Sequence, residues 1–187
     1  MNYLYHLCAH DFQGTILYPL NGLRDRFPEV YERERVKYVG REPVLEFIVP
    51  GLGVAWAETV NLSALDPRLL VAERLKLGVP FSRLLARRLV RIPADRVLGL
   101  PAVNYRSESH WINSSPGEAN VPLTPPEHEF SPFDVSTYQE TRTVPRLHSE
   151  YLLRQKERGE LALGFVFVPH VLVGAPIDIS GLELIDL

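Results

Sequence analysis

The chain has 187 residues, 45% of them hydrophobic, and a formal charge of −3 from 20 basic and 23 acidic side chains. That length suits one domain with a sizeable core, and so balanced a charge argues against a nucleic-acid coat or a membrane-surface protein. The one cysteine, Cys8, excludes an internal disulfide and points to a reducing compartment.

No run approaches the roughly 20 apolar residues of a membrane span, and the start lacks the basic-then-apolar pattern of a secretion signal. A cytoplasmic protein without a membrane partner is therefore expected. Leu, Arg, Val and Pro are abundant while Lys and Met are scarce, a composition that resembles a GC-rich bacterial source.

Residues 3–8, Tyr-Leu-Tyr-His-Leu-Cys, read as a buried strand with His6 among apolar neighbours. The stretch 24–38 is charged, with Phe27, Val30, Tyr31 and Tyr38 spaced for one apolar stripe, and reads as a helix with Pro28 in its first turn. Val44–Val49 and Trp56–Leu62 are apolar, β-rich runs expected to be strands. Asp66 and Pro67 form a strong helix start, as N-cap and first helical residue, and Gly78 with Pro80 stops that helix. Leu89–Ile92 reads as a strand.

The stretch 101–145 is rich in Pro, Ser, Asn and Glu, and is expected to be a long ordered loop. Such a loop is usually a lid or a contact surface. Tyr105, Trp111, Phe130, Phe133 and Tyr138 are its candidate anchors. Glu150–Arg154, Leu161–Val168, Val171–Val173 and Ile177–Ile179 are expected to be further strands. Strands at both ends and helices between them imply a single α+β domain over residues 1–187, with a mixed, mostly antiparallel sheet. A dinucleotide-binding Gly-x-Gly-x-x-Gly and a Walker-type Gly-Lys-Ser/Thr are both absent.

Three places bear on chemistry. Tyr5-His6-Leu7 lies in the first strand, Asn61-Leu62-Ser63 ends a middle strand before a helix, and Ser149-Glu150-Tyr151 follows the long loop. In that order they resemble the ADP-ribosyltransferase superfamily in its broad sense, which includes bacterial toxins, the DNA-modifying DarT type and the tRNA 2′-phosphotransferases.

The resemblance implies NAD as substrate and transfer of ADP-ribose to an unknown macromolecular acceptor, protein or nucleic acid. It implies that His6, with Tyr5 beside it, contacts a ribose, that Ser63 lines the nicotinamide side, and that Glu150 is the catalytic carboxylate. A carboxylate suits that role because the departing nicotinamide leaves an oxocarbenium-like, cationic ribose. The chain departs from the pattern at Cys8, where members carry Thr or Ser. It departs again at His148, where arginine-modifying members carry Gln or Glu, so no arginine specificity is implied.

Other readings stand beside this one. His6 alone reads first as a core histidine satisfied by its surroundings. Residues 101–145 also suit a non-catalytic protein-interaction module. His6 or His10 would serve a small-ligand hydrolase, although no Gly-x-Ser-x-Gly elbow exists. No grouping of His, Cys, Asp and Glu has established metal-ligand spacing. Arg83, Arg87, Arg88 and Arg91 form a basic cluster that reads as a solvated face paired with acids, and otherwise as a phosphate contact.

Overall fold

A computed structural model describes residues 1–80, 87–108 and 125–187. The fold is α+β. A seven-stranded sheet has the order β6-β5-β7-β3-β1-β4-β9, and a two-stranded sheet pairs β2 with β8. These strands are β1 (Tyr3–Ala9), β2 (Ile16–Leu17), β3 (Val60–Ser63), β4 (Arg87–Pro93), β5 (Ala102–Tyr105), β6 (Phe130–Pro132), β7 (His170–Val173), β8 (Ile177–Asp178) and β9 (Leu184–Asp186). Every named pairing is antiparallel. The α-helices among the described residues are α1 (Leu20–Leu23), α2 (Pro28–Arg35), α3 (Pro67–Leu77) and α4 (Arg146–Arg158). None of them is long and apolar enough to cross a membrane.

Strand alternation assigns the two faces of the main sheet. Leu4 and Cys8 of β1 pack in one cluster with Val60, Leu62, Val90, Ile92, Val171 and Val173. The small β2–β8 sheet covers this face through Leu17 and Ile177. On the other face Val103, Tyr105 and Leu172 pack against Val44, Val49 and Trp56. A third cluster joins α4 to the body through Tyr151, Leu152, Val166 and Phe167.

Helix α3 begins and ends where its sequence signals lie. The Asp66 carboxylate accepts from the Arg68 backbone N–H at 2.9 Å, and Pro67 needs no partner in the first turn. Gly78 closes the helix in the left-handed conformation at φ 63°.

Three expected strands are not strands. Val44–Val49 begins inside the 3₁₀ turn Glu42–Glu46. Pro43 sits in its first turn, and Val44 and Val49 reach the core without a ladder. Residues 150–154 belong to α4, whose buried residues His148, Tyr151, Leu152 and Gln155 follow helical spacing. Glu150 thus lies on a helix that runs from Pro145 to Gly159 in the left-handed cap. Leu161–Val168 forms no ladder, and Phe167 breaks an extended path there with φ 60°. In the segment 56–62 only the end is strand, after the 3₁₀ turn Trp56–Glu58.

The stretch 101–145 is not wholly loop, since β5 and β6 pair within it. Tyr105 stacks on Phe130 with ring centroids 5.0 Å apart, and Phe133 meets Tyr138 at 5.3 Å. Tyr105 also meets Trp56 and the Tyr138 hydroxyl donates to the Tyr3 carbonyl, so these two rings tie the stretch to the body. Trp111, with the rest of residues 109–124, lies outside the described residues.

Replacing Leu152, which has no exposed surface, with Ala is expected to cost about 2–5 kcal/mol of unfolding free energy. Asp66→Ala, which removes the α3 cap and the Arg68 ion pair, is expected to cost about 1 kcal/mol. Urea unfolding of both variants checks the order, and a larger loss from Asp66→Ala would contradict the packing assigned to α4.

Candidate functional site

The pairing of β1 is lopsided. It matches β4 residue for residue from Tyr3–Pro93 to Ala9–Arg87, but meets β3 at the single register pair Tyr5–Ser63. β3 in turn pairs with β7 along its whole length. Beyond Tyr5 the two central strands therefore part. The gap opens into a cleft of about 510 Å³ lined by residues of β1, Thr59–Asn61, the β1–β2 connection, α2 and Arg87.

His6 stands at the start of the gap, where its Nδ1 lies 3.0 Å from the Asn61 carbonyl oxygen. A carbonyl only accepts, so Nδ1 carries the proton and donates. The histidine thus satisfies a strand carbonyl where the ladder has stopped, and Nε2 remains as the ring's acceptor. Burial holds the His6 pKa down to about 4, and the nearby Lys37 and Arg87 push the same way. The ring is neutral at physiological pH. It is a fixed acceptor and a weak base.

A charged network forms one wall. Glu34 of α2 ion-pairs through one oxygen with Lys37 and through the other with Arg87 Nη1 at 2.9 Å. Arg33 pairs with Asp11 at 2.9 Å, tying α2 to the β1–β2 connection. Tyr38 and Trp56 form part of the apolar wall. Trp56 meets Tyr105 edge-on at 5.4 Å.

Of the four site residues expected from sequence, the structure brings only His6 to this cleft. Tyr5 projects to the opposite face. Its hydroxyl lies 3.4 Å from Glu140, and burial with that carboxylate pushes its pKa up to about 12. Ser63 is buried. Its hydroxyl donates to the Leu65 carbonyl at 2.7 Å and accepts from the Leu65 N–H, so it shapes the turn into α3. Glu150 pairs with Arg146 at 2.9 Å on α4 and does not line the cleft. The expected convergence of His6, Ser63 and Glu150 is thus not the arrangement found, because the helical register of α4 takes Glu150 elsewhere.

Cys8 touches the cleft, but burial pushes its thiol up to about 12, so it is no nucleophile. His10 is exposed and does not line the cleft. The basic cluster is largely paired: Arg87 with Glu34, Arg88 with Asp186, and Arg91 stacked 3.8 Å from the Tyr3 ring centroid. Arg83 lies outside the described residues. Sequence reasoning missed Glu34, Lys37 and Asn61. The i,i+3 spacing of Glu34 and Lys37 was visible, but nothing local tied them to Arg87.

No protein-family model matches the chain, and no curated protein or solved structure is significantly similar to it.

His6, His148 and His170 each donate from Nδ1 to a backbone carbonyl and are held near pKa 4 by burial. Their folded pKa values lie below the unfolded 6.5, so the unfolded chain binds more protons between those limits. Stability is expected to be full above about pH 6.5 and to fall as the pH drops to about 4, with each histidine contributing up to about 1.4 kcal/mol per pH unit. Chemical denaturation across that range, with ¹⁵N spectra of the rings, checks it. A charged His6 ring at pH 6 would be the contrary result.

Proposed function

We propose that the cleft between β1 and β3 is a small-molecule binding site in which His6 orients the ligand. One observation carries the reading. The β1–β3 ladder stops after Tyr5–Ser63, and His6 Nδ1 takes the Asn61 carbonyl, leaving Nε2 as an acceptor beside a concave space. The volume falls within the range of about 300–1,000 Å³ usual for ligand pockets. A neutral, fixed imidazole suits a ligand N–H or O–H, and its low pKa favours orientation over general-base work.

NAD is the first ligand to test. It offers flat bases for the apolar wall, ribose hydroxyls that donate to His6, and an anionic pyrophosphate. ADP-ribosyl transfer would break the glycosidic C–N bond, with the electron pair leaving on nicotinamide. An acceptor nucleophile would then bond to the ribose C1 and lose its proton. That chemistry needs no protein nucleophile, but it does need a carboxylate near the developing positive charge. Glu34 lines the cleft and is held ionised by Lys37 and Arg87, so it takes the role in place of Glu150.

Calorimetry with NAD is the direct test, with nicotinamide release followed on the same samples. His6→Phe, which keeps an aromatic ring but removes the Nε2 acceptor together with the Nδ1 donor to Asn61, is expected to weaken binding by on the order of tenfold or more, with a thermal melt to confirm the fold. Glu34→Gln is expected to abolish release while Glu150→Gln leaves it unchanged. Absence of NAD binding would remove the dinucleotide reading, and turnover lost only in Glu150→Gln would place the chemistry outside the cleft.

A further inference from the structure

The charges lining the cleft do not follow those of the chain. The whole protein carries −3. The cleft presents three cations, Arg33, Lys37 and Arg87, against two carboxylates, Asp11 and Glu34. Arg33 and Asp11 neutralise one another at the exposed rim, where both side chains are well exposed. What remains is the Glu34 carboxylate, paired with Lys37 and Arg87 and approached by Arg33 Nε at 3.9 Å, so the cations outnumber the carboxylates by one.

That pairing is specific. Lys37 takes Glu34 Oε2 and Arg87 takes Oε1, which Arg33 Nε also approaches at 3.9 Å, so neither Lys37 nor Arg87 has a carboxylate of its own. Elsewhere on the surface, Arg68–Asp66 and Arg88–Asp186 each have a whole carboxylate to themselves. Arg87 uses one guanidinium nitrogen on Glu34 and makes no other hydrogen bond among the described residues. Its side chain is 21% exposed and lines the cleft, so its remaining donors are available to whatever occupies the cleft. A guanidinium so placed is a site for a second oxyanion, which it can grip with two parallel N–H donors.

We infer that the ligand of this cleft is a small organic anion, with its charged group on Arg87 and Lys37 across Glu34 and its flat body along Tyr38 and Trp56. The inference rests on the ligand-binding reading of the cleft and adds the ligand's charge to it. A cation would meet a net positive wall, and a neutral ligand would meet the Arg87 donors only with the weaker, uncharged acceptors. His6 fits the same ligand. Being neutral, it does not compete for the anion, and it accepts from a donor on the ligand's body. Glu34 holds the two cations in place in the empty cleft and competes with the ligand for them.

A matched pair of probes separates the ideas. Indole-3-acetate and indole-3-acetamide share a flat ring and an N–H donor but differ in charge. Binding of each to the full chain is read from the His6 ring ¹⁵N shifts and by calorimetry. The carboxylate is expected to bind tighter than the amide by on the order of tenfold, as a charge-assisted pair replaces a neutral contact.

Arg87→Gln should erase that difference by weakening the acetate alone. Glu34→Gln should widen it by freeing both cations. Circular dichroism and thermal melts confirm that each variant is folded. Where Glu34→Gln does not fold, raised salt serves in its place, since it should weaken the acetate and spare the amide. Equal affinities, a preference for the amide, or a preference that survives Arg87→Gln would overturn the anion inference while leaving the cleft as a binding site. If neither probe moved the His6 signals, the reading of the cleft would fail and the inference with it.

Discussion

One hydrogen bond holds open the centre of this molecule. The His6 ring donates to the Asn61 carbonyl where the β1–β3 ladder has ended. A backbone carbonyl left unpaired beside a core would cost on the order of 1–3 kcal/mol, so strands that part need a substitute partner. The imidazole supplies it and spans a distance that a backbone N–H cannot. Burial then keeps the ring neutral. Satisfying the parted strand and providing an acceptor are thus done by the two nitrogens of one side chain. The lining of the cleft follows, because the space between β1 and β3 lets Thr59–Asn61, α2 and Arg87 reach the same cavity.

The features legible in the sequence were those set by local chemistry. Asp66, Pro67 and Gly78 bound α3 because a cap, a fixed φ and a left-handed turn act within a few residues. β1 was legible because its apolar run left few alternatives, and the antiparallel character of the sheet followed from strands at both ends of the chain. The errors have a common cause. Tyr151-Leu152-Leu153 and Val44–Val49 are short apolar runs that suit a strand or a buried turn of helix equally well. Tertiary packing decided against the strand in both places. For α4 the deciding period was written in His148, Tyr151, Leu152 and Gln155, yet only Tyr151 and Leu152 are apolar enough to draw notice.

The candidate site was half legible for a related reason. His6 stood out as a polar residue in an apolar strand. Its partners could not be chosen, since the Arg87–Glu34 pair spans 53 residues and the Asn61 contact is made by a backbone atom common to every residue. Side-chain type marked Ser63 and Glu150 as partners, but orientation disqualified them. Ser63 is turned onto its own backbone, and Glu150 lies on a helix held to Arg146. Strand alternation likewise sends Tyr5 away from its neighbour His6.

The order of the main sheet has a further consequence for how the protein keeps company in a crowded cell. Among the described residues its outer strands, β6 and β9, are three residues each, and β6 contains Pro132, which cannot donate to an incoming neighbour. Short edges of this kind discourage another chain from adding itself to the sheet. The break in the ladder lies instead between β1 and β3, both of which have a paired strand on the far side. A second polypeptide would have to force its way between them, whereas a small molecule needs only to enter the gap. The molecule thus keeps its receptive backbone where self-association cannot reach it.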